Sequence, residues 1–202
     1  MLRRALLANS ALPRNFTRRA ARRIPGYAKL CEDPSVPYSR PFMTTQNELR
    51  VGLVSDTHGL LRPEARAFLA GCDYIVHGGD VGHAEILDDL ALMAPLIAVR
   101  GNNDTQIWAA RLAPTELVRI GGIFLYVIHN LEELDIDPAA AGVRVVVSGH
   151  SHQPKIEERA GILYVNPGSC GPRRFKLPIS AGELTVSGSA VNARIVDLAS
   201  ST

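Results

Sequence analysis

A chain of 202 residues that is 46% hydrophobic is long enough for one well-buried core and too short for two large domains, so one main domain is expected. The formal charge of +2 is uneven: residues 1–42 hold nine of the 22 bases and two of the 20 acids, which leaves a body of about −5 with no electrostatic footprint for a nucleic-acid groove, although a nucleotide stays open as a substrate. Cys31, Cys72 and Cys170 are odd in number and outside any C-x-x-C spacing, which argues against a disulfide framework or thiolate metal site and fits a reducing compartment, and no apolar run approaches the roughly 20 residues that span a bilayer.

Residues 1–42 have no sustained strand or helix period, carry prolines at 13, 25, 34, 37 and 41, and contain no acid before Glu32. This composition fits a basic, disordered extension ahead of a body at 43–202, with Met43 as a candidate start and the cytoplasm as the compartment. An Arg-rich, acid-poor stretch also matches an organelle transit peptide, which ranks second. From Glu48 onward the pattern becomes strands alternating with helical segments, the mark of βαβ units in a layered α/β fold. Leu49 to Ser55 reads as a strand buried on both faces, where alternation disappears. Pro63 to Ala70 is a helix opened by proline in its first turn. Asp73 to His77 is a second strand ending in G-G-D, and a helix from His83 to Met93 is stopped by Pro95. Leu96 to Arg100 is a third strand and ends in G-N-N-D.

After Pro114 the rhythm turns antiparallel. Glu116 to Ile120 and Ile123 to Ile128 flank a Gly121-Gly122 turn, with His129 at the outgoing end. A short acidic helical stretch from Leu131 to Ala141 leads to a buried strand, Arg144 to Val147, that empties into S-G-H-S-H. A second hairpin, Lys155 to Arg159 and Ile162 to Val165, ends in N-P-G-S. Leu184 to Ser187 and Ala190 to Leu198 are expected to close a second sheet. The architecture expected is an α/β sandwich of two sheets flanked by helices.

By itself the pair Asp56 and His58, just past the first strand, reads as a helix cap or a turn. What changes the reading is repetition. Five strands each end in a candidate metal ligand: Asp56 and His58, then Asp80, Asn102, His129, and the pair His150 and His152. Carboxyl-end loops of neighbouring strands share one rim, the usual ligand edge of an open α/β sheet. Two carboxylates, an amide oxygen and four imidazoles without a thiolate suit Mn2+, Fe2+ or Zn2+ better than Ca2+ or Mg2+ alone. Seven donors exceed one tetrahedral site and suit two ions about 3.5–4 Å apart, the arrangement used to activate water and clamp a phosphoryl group during hydrolysis.

The order D-x-H, G-G-D, G-N-x-D, a lone His after a strand, G-H-x-H and N-P-G-S resembles the calcineurin-like metallophosphoesterase superfamily. The closer resemblance is to its small single-domain bacterial and archaeal phosphodiesterase branch, which is related to the retromer scaffold subunit of eukaryotes; it covers residues 49–198. The resemblance implies an αββα sandwich of two mixed sheets and a metal-dependent phosphodiesterase acting on a small phosphodiester, with two divalent ions, Mn2+ first and Fe2+, Zn2+ or Ni2+ as alternatives. It implies that Asp56, His58 and His152 hold one ion, that Asp80 bridges, and that Asn102, His129 and His150 hold the other. Relatives with G-N-H have a histidine where Asn103 stands here, and asparagine cannot act as a general acid, so weak activity on monoesters with poor leaving groups is expected. Asn130 replaces a family glycine and is expected to tolerate a left-handed backbone.

The alternatives are a non-catalytic scaffold, which keeps the fold without the chemistry, and a phosphomonoesterase or nucleotidase. Among other residues, His77 reads as a core histidine and Cys170 as structural. Trp108 reads as packing, and Asn166 to Ser169 as a turn. His83 and Arg173 are the candidate substrate contacts; Arg174 lies beside Arg173, and an arginine there would match a phosphate bidentately. A homo-oligomer remains open.

Overall fold

The computed structural model describes residues 48–174 and 176–200, so the expectations for residues 1–42, Met43 and Cys31 lie outside the described residues. The elements run β1 (Leu49–Val54), α1 (Pro63–Leu69), β2 (Tyr74–His77), α2 (Ala84–Ala91), β3 (Leu96–Ala98), β4 (Thr115–Ile120), β5 (Ile123–Ile128), β6 (Val143–Val147), β7 (Lys155–Arg159), β8 (Ile162–Asn166), β9 (Ser180–Ser187) and β10 (Ala190–Asp197), with short 3-10 turns at Ile107–Arg111, Leu131–Glu133 and Leu198–Ser200. No helix among the described residues is long and apolar enough to cross a membrane.

Two five-stranded mixed sheets result, ordered β10-β9-β1-β2-β3 and β4-β5-β6-β8-β7. Strands β1, β2 and β3 are parallel, as are β5, β6 and β8. The inner faces meet through Val51, Leu53, Val76, Leu125, Val127, Val145, Val147 and Leu184, all with 0% exposure. The outer face of the first sheet is covered by α1 and α2, whose Leu69 and Leu90 pack with Val54, Ile75 and Ala181. Close approach of α1 is possible because β1 carries Gly52 there: a Cβ would stand 2.3 Å from Leu69 Cδ2.

Two parts differ from expectation. The strands after residue 179 do not close the second sheet; β9 pairs antiparallel with β1 in the first. Strand β9 also begins at Ser180, four residues before its predicted start. Ser180, Ala181, Gly182 and Glu183 have weak strand propensity, but they are buried between neighbours that fit them. Glu183 forms a charged hydrogen bond with Arg50 of β1 and accepts one from Arg194 Nε of β10 (2.8 Å). Burial opposes its charge, yet these two guanidiniums hold its carboxyl below the usual range.

The second difference is Leu131 to Ala141, where the helical stretch is reduced to Leu131–Glu133 and a single turn closed by Ala141 N–H on Asp137 O (3.0 Å). Pro138 disfavours helix at the residue before it, and Asp137 Oδ1 accepts the Ala139 N–H at 2.9 Å, a local alternative to the helix ladder. Leu131, Leu134 and Ile136 still cover the outer face of the second sheet, against Tyr126, Ile128 and Val146. Trp108 packs with the helix layer, as expected.

Candidate metal centre

The parallel strands bring their carboxyl ends to one rim, and the pairing continues past them. Asp56 N–H donates to Gly79 O (3.0 Å), His58 N–H to Asp80 O (3.0 Å) and Gly59 N–H to Val81 O (2.8 Å), so the loops after β1 and β2 are zipped together. Buried Asp104 ties the third loop on by accepting from Val81 N (3.1 Å), Gly82 N (2.9 Å) and Gly101 N (2.9 Å). From the second sheet, Gly149 N–H donates to His129 O at 3.0 Å. Gly149 must lack a side chain, since a Cβ would lie 2.0 Å from Ser55 Oγ and 2.8 Å from Asp56 Oδ2. Asn166 braces the same loop by donating to Gly149 O (2.6 Å) and Ser151 Oγ (3.1 Å), so the N-P-G-S turn also supports the site.

All seven predicted strand-end donors converge here. His152 Nε2 lies 3.2 Å from Asp56 Oδ1 and 3.2 Å from His58 Nε2, and the two rings stack with centroids 5.1 Å apart. Asp80 Oδ2 lies 3.8 Å from His58 Nε2 and 3.5 Å from His129 Nε2, so it stands between the two groups. On the far side Asn102 Oδ1 is 3.0 Å from His129 Nε2 and 2.9 Å from His150 Nδ1. Asp56, His58 and His152 form one compact metal-ligand cluster; Asp56, Asp80 and His129 form another, which gives Asp56 a place in both.

The backbone sets these side chains apart. Among the described residues, six non-glycine residues have positive φ, and five of them are Asp56, His58, Asp80, His150 and His152. Left-handed backbone costs about 1 kcal/mol or more at such residues and persists where the surroundings enforce it, as at functional sites.

The donors fit a bound cation. Both carboxylate oxygens of Asp56, which has 0% exposure, lack a hydrogen-bond partner, and so does His152 Nδ1. A buried carboxylate left without partners costs several kcal/mol. His129 Nδ1–H donates to Gly78 O at 2.7 Å, so in the neutral ring Nε2 is a lone pair facing the amide oxygen of Asn102. Without a cation, protons fill part of this role. Burial disfavours charge on His129, but Asp80 and the Gly78 carbonyl outweigh it and raise its pKa. At His58 burial wins over Asp80, and the pKa falls below 6.5. Asp80 is also buried, yet hydrogen bonds from His129 and Asn103 hold its carboxyl far below the usual carboxylate range.

Several nearby residues take other roles. Asn103 donates to Asp80 twice, from its backbone N–H to Oδ1 (2.8 Å) and from Nδ2 to Oδ2 (2.6 Å). Asn130 is not left-handed: its φ is −104°, and its side chain accepts the Glu132 N–H to cap the following turn. His77 is fully buried, receives Gly79 N–H on Nδ1 (3.2 Å), donates from Nε2 to Thr57 Oγ1 (2.9 Å), and is pushed down to about 4 by burial. Cys170 is fully buried and pushed up to about 12 by burial, so it stays a thiol. His83 packs its ring over Gly59, where a Cβ would meet His83 Cδ2 at 2.7 Å, but it bonds to none of the seven donors. Arg173, the predicted substrate contact, has no bond to the site among the described residues; its neighbour Arg174 does, with Nη2 3.3 Å from His58 Nε2.

Asp104, Asn103 and Asn166 were not singled out from the sequence as supports. The recurrence of Asp three residues after Gly101 was the available signal for Asp104. Cavities border the far group: one of about 240 Å3 beside His150, lined by Asn130, Lys155 and Tyr164, one of about 400 Å3 beside Asn102 and His129, lined by Arg100, Glu133 and Asp135, and one of about 490 Å3 beside Asn102, lined by Arg100, Asp104 and Ile107.

Residues 49–189 match the calcineurin-like phosphoesterase superfamily domain. A probable metallophosphoesterase of Methanocaldococcus jannaschii is 35% identical over 63% of this chain and 71% of its own length. A phosphodiesterase of Escherichia coli K12 is 29% identical over 67% of this chain and 87% of its own. The fold is shared with the solved vacuolar protein sorting 29 of Cryptosporidium parvum, with a TM-score of 0.62 at 19% identity over 74% of this chain and 97% of that one.

Proposed function

The chain belongs to the calcineurin-like phosphoesterase superfamily, and from that premise we propose that it is a dinuclear metal-dependent phosphodiesterase acting on a small phosphodiester. The observation that carries the reading is the buried Asp56 carboxylate, unpartnered on both oxygens and surrounded by imidazole nitrogens. On this reading Asp56, His58 and His152 hold one divalent ion, Asn102, His129 and His150 hold the other, and Asp80 joins them. Oxygen and imidazole donors without thiolate suit first-row divalent ions, and among these Mn2+ is the first candidate on the resemblance to the small phosphodiesterases alone. Bound there, the ions would supply Lewis acidity towards a phosphoryl oxygen and lower the pKa of a nucleophilic water.

The remaining steps belong to the chain. Gly78 O fixes the His129 tautomer, and Asn103 orients the Asp80 carboxylate. Because both Asn103 bonds run to Asp80 and an amide is not an acid, Asn103 donates no proton to a leaving group. This supports good leaving groups and aryl diesters over ordinary alkyl monoesters. The cavities beside His150 and beside Asn102 support a diester further, since they offer room for ester substituents next to the far group.

The test combines metal content by mass spectrometry with hydrolysis of bis(p-nitrophenyl) phosphate by wild type and His150→Ala after Mn2+ loading. Two ions per chain and activity lost in the variant are expected. Neither metal nor hydrolysis would move the chain to a non-catalytic binding role. Faster hydrolysis of alkyl monoesters than of aryl diesters would move it to the monoesterases.

A further inference from the structure

Among the described residues, Arg174 is the cationic side chain that reaches the seven donors. Residues 169–171 are pinned along the loop that carries Asp56 and His58. Ser169 Oγ donates to Asp56 O (2.9 Å), Cys170 N–H to Ser55 O (3.2 Å), and Arg62 Nε to Gly171 O (2.9 Å). Gly171 lies so close to this loop that a Cβ would stand 2.3 Å from Thr57 O. Arg174 emerges three residues later, and Leu177 N–H bonds back to its carbonyl at 3.1 Å. The guanidinium Nη2 then faces His58 Nε2 at 3.3 Å.

An arginine has only donors and keeps its charge. Here its partner is an imidazole lone pair, and no carboxylate is ion-paired with Arg174 among the described residues. If His58 Nε2 binds an ion, as the proposed function requires, Arg174 loses that acceptor while standing beside a second positive charge. An anion gives the guanidinium an acceptor and offsets the added positive charge at once. A phosphoryl group offers oxygens that match the guanidinium fork.

We infer that Arg174 is a phosphoryl-binding residue, which takes a non-bridging oxygen of the phosphate ester at the His58 end of the site. This inference rests on the metal-dependent reading above and deepens it. Arg174 replaces Arg173 as the substrate contact. It also leaves the cavities beside His150 and Asn102 to the ester substituents, because that oxygen is held at the other end of the site.

The experiment measures binding of inorganic phosphate to the Mn2+-loaded full chain by calorimetry, for wild type, Arg174→Ala, Arg174→Lys and Arg173→Ala. Bound metal and the thermal midpoint are read on each sample. Arg174→Ala is expected to weaken phosphate binding by about tenfold or more, the scale of a charged hydrogen bond, and to raise KM for the aryl diester in parallel. Metal content should not change. Arg174→Lys should recover part of the loss, and Arg173→Ala should match wild type. Unchanged phosphate affinity in Arg174→Ala overturns the inference, as does absence of phosphate binding by wild type. Loss of an ion in Arg174→Ala also overturns it, because Arg174 would then be a positioning residue for His58. A protein that binds phosphate through Arg174 yet hydrolyses no ester would defeat the enzymatic reading and leave this one standing.

Discussion

The two ends of the site are built in opposite ways. At the end made by Asp56, His58 and His152, the donors are buried or nearly so, and three buried atoms of Asp56 and His152 have no partner. At the end made by Asn102, His129 and His150, the donors face one another at 2.9–3.0 Å, and Asn102 and His150 are exposed. The first end carries buried polar atoms that the protein itself leaves without partners. The second can satisfy itself with a proton. Asp80 is where the two differ least, since it lies within 4 Å of a histidine from each.

Removing that shared group should therefore break both ends at once and give the largest effect. Asp80→Ala is expected to lower kcat/KM for the aryl diester by on the order of a thousandfold, with both ions lost; steady-state kinetics beside metal analysis checks it. Asp56→Asn should separate the ends by sign. Without metal it removes an unpartnered buried charge, so the variant should be more stable than wild type by about 1–3 kcal/mol. With metal it should be less stable than wild type, because an ion that binds only the folded state adds to stability and the variant forgoes it. Denaturant midpoints with and without chelator give both numbers, and one sign in both conditions would remove the distinction between the ends. Asn103→Leu acts through Asp80 alone and should cost about 10–100-fold in metal affinity, as lost support for a ligand usually does.

The strand ends were legible because each is an apolar run that stops at a polar turn, and strand direction then forces those turns to one rim. The local supports were not. Asp104 reads only as part of a motif and Asn103 only as a missing acid until the loops after β2 and β3 are side by side, and Asn166 reads as a turn former until its amide meets Gly149 O. Sheet membership of β9 was hidden for a different reason. Ser180 to Glu183 carry little strand preference, and what holds them is pairing with β1 and the Arg50–Glu183–Arg194 charges, which are contacts distant in sequence. Pro138 was a readable stop within 131–141, but the apolar residues before it still suggested a helix.

On the dinuclear reading, acid should release the ions in order. His129 has a raised pKa, because Asp80 and Gly78 O outweigh its burial, whereas burial lowers that of His58. Protons thus compete for His129 at a higher pH than for His58, and metal binding requires the neutral ring. As pH falls from roughly 8 to 5, the ion at the far end should leave first. In metal-free protein the signs differ. The contribution from His129 is complete below the unfolded value of 6.5 and is lost as pH rises through its folded value. That from His58 is present above 6.5 and is lost as pH falls through its lowered value. Metal retained after dialysis across this range should fall in two steps, and a single step would mean that the ends bind as one.

The smallest effect tests whether the far end depends on its own loop cap. Asn130 Oδ1 accepts Glu132 N–H (3.1 Å) and Nδ2 donates to Glu133 Oε1 (3.2 Å), both exposed. Its φ of −104° needs no glycine. Asn130→Ala should therefore cost about 0.5–1 kcal/mol in a denaturant titration, the low end for a lost cap. Asn130→Gly should cost less, about a few tenths of a kcal/mol, because glycine is itself a fair N-cap residue. Activity should stay within about twofold in both, since His129 is held from the other side: its ring by Gly78 O and its carbonyl by Gly149 N–H. A loss of activity of about tenfold with little loss of stability would mean that this cap, rather than those two bonds, aims His129 at the metal.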